Sequence, residues 1–159
     1  MRECIVPTLI LLSCLPAAAQ TSPSGWKTLR DSKGSCQVSI PPDWVPFSDS
    51  GGSAIFRDAG TAIAVVTSQP SQPFKPLPPS IVKLMELRKE KLFENSAQRI
   101  FYQEKTSRNA DDTNAFSAAV PSKGGTCGCR VVALPSVSED IARKIVLSLA
   151  AAPEEAQPE

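Results

Sequence analysis

From Cys36 to Ile40 the chain alternates, with Cys36, Val38 and Ile40 on one side and Gln37 and Ser39 on the other. That period of two is the mark of a half-buried strand. "PPDW" follows, and Pro41 and Pro42 cannot continue a ladder. "WKTL" (26–29) reads as a partner strand across the turn-like "RDSKG". Two further strands are predicted at "SAIFRD" (53–58) and "TAIAVVTSQ" (61–69), joined as a hairpin at Asp58-Ala59-Gly60. Three more are predicted at "RIFYQEKTS" (99–107), "TNAFSAAV" (113–120) and "TCGCRVVAL" (126–134), separated by the turn formers of "RNADD" and "PSKGG".

The period changes twice. Ser80 is placed to cap a helix running to about Asn95, with Ile81, Leu84, Met85 and Leu92 near one face. Glu86, Glu90 and Glu94 recur every fourth residue among Lys83, Lys89 and Lys91, a solvated face laced with weak ion pairs. A second helix starts at Ser136 (a capping box with Glu139) or at Ser138, buries Ile141, Ile145, Val146 and Leu149, and ends at Pro153. Before the first helix, "PSQPFKPLPP" (70–79) holds five prolines. It reads as a stiff polyproline-like connector across the sheet edge, or as a recognition loop that displays Phe74 and Lys75.

These elements predict an α+β fold, a mainly antiparallel sheet of about six strands sandwiched by two amphipathic helices. At 159 residues there is room for one domain, placed at 26–152 after a polar lead-in (20–25) and before a disordered acidic tail (153–159).

The first residues change the picture. Arg2, an apolar run over 5–12 and Ala17-Ala18-Ala19 predict a signal peptide over 1–19, cleaved to leave Gln20 at the mature terminus. The apolar run is far shorter than the roughly 20 residues of a spanning helix. "LLSC" (11–14) offers an alternative, a lipobox with a lipid on Cys14. Both place the protein outside the cytoplasm, periplasmic, secreted or anchored to a membrane as a lipoprotein. Disulfides are allowed there.

With 17 basic and 16 acidic side chains the net charge is +1, which gives no general electrostatic argument for nucleic acid or an anionic membrane. The chain contains no histidine. Ser-His-Asp and Cys-His catalysis, imidazole metal sites and haem attachment all need that residue. "SDSGGS" (48–53) resembles the nucleophile segment of chymotrypsin-like proteases at Ser50, but without a base it reads as a Gly-rich loop before a strand.

The cysteines carry the remaining chemistry. Cys127 and Cys129 share one face of their strand with Val131 and Ala133, and Gly128 removes a side chain from the other face. An intrachain zinc site lacks ligands. Cys36, on the apolar face of its own strand, is expected to bridge to Cys127 or to Cys129, closing a loop of about 90 residues and leaving one thiol over.

The N-terminal hairpin, "VSIPPDW", and a last strand leading into "SEDIARKIVLSL" resemble the PsbP-like fold over roughly residues 26–150. That fold is shared by an extrinsic photosystem protein, a Ran-binding nuclear import factor and many exported bacterial proteins of unknown role. The resemblance implies a non-enzymatic binding or scaffolding module. The histidine-linked metal binding of photosystem members has no matching position here. The expectation is an exported module that engages a protein partner of the cell envelope, with no catalytic residues, metal or cofactor. The alternatives are a thiol-active protein using Cys127 and Cys129, and a small-molecule or lipid carrier holding its ligand between the sheet and the helix at 80–95.

Overall fold

A computed structural model describes residues 23–50, 53–57, 62–69, 71–108, 111–133 and 138–153. The segment expected to be a signal peptide, Cys14, the turn at 58–60, Ser136 and the tail from 154 onward lie outside the described residues.

In chain order the elements are β1 (Lys27–Arg30), β2 (Cys36–Ile40), β3 (Val45–Ser50), β4 (Ser53–Arg57), β5 (Ala62–Gln69), α1 (Pro79–Leu87), β6 (Lys91–Asn95), β7 (Ile100–Arg108), β8 (Asp111–Ser122), β9 (Gly125–Ala133), α2 (Glu139–Leu147) and β10 (Ala150–Ala151). The fold is α+β, but the strands form two sheets instead of one of about six. A three-stranded sheet runs β1-β2-β10, and a seven-stranded sheet runs β3-β4-β5-β9-β8-β7-β6. Every pairing is antiparallel.

The core lies between the larger sheet and a second layer made of α2 and the smaller sheet. Cross-strand rows Val66–Cys129–Ala118 and Ala64–Val131–Phe116 line the inner face, and their side chains are buried with Val38, Ile40, Trp44, Ile145 and Val146. Along β9 burial alternates strictly, with Cys127, Cys129, Val131 and Ala133 inward, as the period-2 reading predicts.

Local chemistry sets the element ends. In the β1–β2 turn the buried Asp31 carboxylate accepts from the backbone N–H groups of Ser35 and Cys36, at 2.7 and 2.9 Å. Ser138 caps α2 by accepting from Asp140 N, with Glu139 and Asp140 favourably placed in the first turn. The predicted run of α2 to Pro153 is too long. Ser148 ends it, its hydroxyl donating to Ile145 O and accepting from Ser39 N. Ala150 and Ala151 then pair with β2.

The first helix departs most from expectation. It starts after Pro78, whose side chain has no acceptor to cap it, so the expected cap Ser80 lies inside the helix; Pro79 in the first turn leaves one fewer N–H unsatisfied. It also stops at Leu87, so residues 91–95 are a strand, not the end of a helix. Lys89 takes φ 59°, Lys89 N donates to Glu86 O, and Glu90 N donates to Met85 O. Those two bonds are a Schellman motif, which reverses the chain and lets β6 pair with β7. α1 therefore packs chiefly against β6 at the sheet edge and does not cover a sheet face.

Candidate functional site

Cys36 opens β2 and Cys127 lies near the start of β9, and the structure joins them, with S–S 2.09 Å and Cα–Cα 5.6 Å. The bond clamps the small sheet to the large one. Cys129, two residues along the same face, stays a free thiol and is fully buried. Burial pushes its pKa up from 9.0 to about 12, so the nucleophilic thiolate is scarce at neutral pH. Cys127 is committed to a bond and Cys129 is held protonated, an arrangement poor for thiol exchange. Among the described residues, no three Cys, Asp or Glu side chains gather as metal ligands.

The outer face of the large sheet carries an open trough of about 400 Å³, lined among others by Thr67, Gln69, Tyr102, Ser117, Gly128 and Arg130. Its floor is low at Gly128, where a Cβ would stand 3.3 Å from Thr67 Oγ1. Arg130 Nε donates to Glu104 Oε1 at 2.6 Å, so its charge is already paired. Burial raises the Tyr102 pKa, which keeps the phenol neutral. The trough holds hydroxyls and an amide, with no acid–base pair.

The proline loop is tied down at both ends. Thr126 Oγ1 donates to Gln72 O, and the Asn95 side chain both accepts from Leu77 N and donates to Leu77 O. Asn95 thus acts as a strand neighbour for the loop, which suits a stiff connector. Lys75 is exposed, but Phe74 is half-buried and is not fully displayed.

The loop delivers α1 turned about its axis, with Met85 and Val82 toward the protein. Of the residues predicted to share one face, only Met85 is buried; Leu92, on β6, is half-buried, Ile81 and Leu84 are each 40% exposed, and Leu87, outside that prediction, is 74% exposed. Ile81, Leu84 and Leu87 stand three residues apart and form an outward aliphatic stripe. Lys83 and Arg88 flank it, and Lys75, Lys89 and Lys91 are exposed nearby. A groove of about 440 Å³ between α1, the loop and β6 is lined by Leu77, Pro79, Val82, Lys83, Glu86 and Asn95. Sequence reasoning missed this surface because it assigned the stripe to the core. The signal was Leu87, which extends Ile81 and Leu84 at the same spacing. No helix of the described residues is long and apolar enough to cross a membrane.

No protein-family model matches the chain, and neither does any curated protein. Solved structures do. One from Bacteroides thetaiotaomicron VPI-5482 has a TM-score of 0.57 at 18% identity over 84% of this chain. This chain spans 52% of that one, about half its length. The solution structure of cyanobacterial PsbP (CyanoP) from Synechocystis sp. PCC 6803 has a TM-score of 0.55 at 12% identity, covering 86% of this chain and 98% of that one. With the two-layer architecture above, this likeness establishes that the chain has a PsbP-like fold.

Proposed function

We propose that the protein is an exported, non-enzymatic binding or scaffolding module of the cell envelope, cleaved after Ala19 and acting through the α1 corner. The observation that carries this reading is the outward stripe of Ile81, Leu84 and Leu87, which gathers on one short helix three of the large hydrophobic side chains left exposed; Val45 and Phe93 are exposed elsewhere. Large aliphatic groups held in water by a stiff, anchored loop cost free energy that only a contact recovers. The Cys36–Cys127 bond supports a destination where disulfides persist. The absence of histidine and the buried Cys129 thiol leave little for acid–base or thiol chemistry.

Two measurements test it. A photo-reactive residue at Leu87, introduced in the native host, is expected to cross-link an envelope component, and the same probe at exposed Lys33 is expected to capture none. Intact mass of the native protein, alkylated without reductant, is expected to give a terminus at Gln20 and one reactive thiol after denaturation. Cytoplasmic protein with three free thiols, or reproducible turnover by pure protein on a hydrolase and oxidoreductase panel, would overturn the reading.

A further inference from the structure

We propose that the α1 corner seats on an anionic phospholipid surface. The inference rests on the binding-module reading and names what its surface meets. The contact is convex, a nine-residue helix on the rim of the sheet with Ile81, Leu84 and Leu87 outward. Such a helix lies in the interface plane, its apolar side sunk among the headgroups and its basic side chains reaching to the phosphates.

Charge complements that geometry. Residues 75–91 carry five Lys or Arg against two Glu, a surplus of three in a chain whose total surplus is one. The near-neutral total therefore conceals a local cationic patch. At helical spacing Lys83 and Arg88 border the stripe, while Glu86, the one exposed acid of residues 75–91, shares the groove lining with Lys83. Glu90 is half-buried, whereas Lys75, Lys83, Arg88, Lys89 and Lys91 are all exposed.

The composition favours lipid over a protein partner. Protein interfaces concentrate aromatic residues, Met and Arg and are poor in Lys. Here α1 has no aromatic residue, its one Met is buried, and four of the five cations are Lys. Flexible ammonium groups suit a fluid layer of phosphates, which demands no fixed hydrogen-bond geometry.

The test is co-sedimentation of the protein isolated from its host with vesicles of phosphatidylcholine alone, or of phosphatidylcholine mixed with phosphatidylglycerol. Binding is expected to the mixed vesicles and not to the neutral ones, weakening as salt is raised. A Leu84→Glu/Leu87→Glu variant is expected to lose about tenfold or more in partitioning. A Lys83→Glu/Lys91→Glu variant, which keeps the stripe, is expected to lose about tenfold on mixed vesicles. If the leucine variant melts early, the lysine variant decides. No binding, equal binding to both vesicles, or binding that survives the lysine variant overturns the inference; a lipid on Cys14 would produce the last two. A protein captured through Leu87 without vesicle binding overturns it too, yet leaves the binding-module reading standing.

Discussion

Cys129 shows how burial alone sets a residue's chemistry. It shares Cys127's strand and face, but it lies two residues further along β9, opposite Val66 and Ala118, while Cys127 is the one bonded to Cys36. We expect iodoacetamide at pH 8 to leave the peptide carrying Cys129 unmodified in native protein and to modify it fully after denaturation. Native labelling at a rate typical of exposed thiols would contradict the buried position. The raised pKa also has a stability consequence. Between about pH 9 and 12 the unfolded thiol has lost its proton while the folded one keeps it, so the unfolded state binds fewer protons and stability falls as pH rises. Cys129→Ala lacks that slope, so the difference in stability between the two proteins should change only in that window. The sequence revealed the shared face of Cys127 and Cys129 through period-2 alternation. It could not reveal which one Cys36 meets, because that depends on the offset between two sheets, and no local pattern records it.

The contrast between α1 and α2 shows when a helix boundary is legible. α2 starts at a serine followed by two acidic residues, and the capping chemistry is visible in the letters. The chain leaves α1 through Lys89, where φ is 59° in a position that usually takes glycine. With no glycine to mark the reversal, the apolar positions of α1 and β6 merge into one apparent helix to Asn95. A left-handed lysine also carries steric strain. We expect Lys89→Gly to stabilise the protein by about 0.5–1 kcal/mol, the relief of strain exceeding the added freedom of the unfolded chain. Chemical denaturation measures it, and a loss of stability would mean that the Lys89 side chain holds the corner by contacts of its own. β3 was hidden for a related reason. Pro46 and Ser48 flank a register shift on the sheet's outermost strand, where a missing N–H is tolerated and the alternation is broken.

At the scale of the molecule, two layers meet through few covalent or polar links. Asn114 Nδ2 on β8 donates to Glu139 Oε1 on α2, Arg99 Nη2 donates to Leu147 O, and the Cys36–Cys127 bond ties β2 to β9. The bond spans 91 residues, and the chain-entropy estimate for such a loop is about 4–5 kcal/mol. We expect Cys36→Ala/Cys127→Ala to lower the free energy of unfolding by about that amount, and Cys129→Ala to lower it by about 1 kcal/mol. Equal losses would show that the thiols matter only as packing groups. The α+β class and most inner-face residues were legible because burial imposes a period on the sequence. The division into two sheets was not, since β10 is only two residues long and adds itself to β2 after α2 has crossed the core.

The same cross-link makes the protein's stability a property of place. Where thiols are kept reduced the chain lacks its longest tether, and its folded-to-unfolded ratio is lower by a factor of about a thousand or more. If the protein is exported as proposed above, a chain awaiting transport is thus easier to keep unfolded and to thread through a narrow pore. Once oxidation joins Cys36 to Cys127 the balance shifts toward the folded form. Two sulfurs thereby act as a catch set by the surroundings: open where thiols stay reduced, closed where they are oxidised.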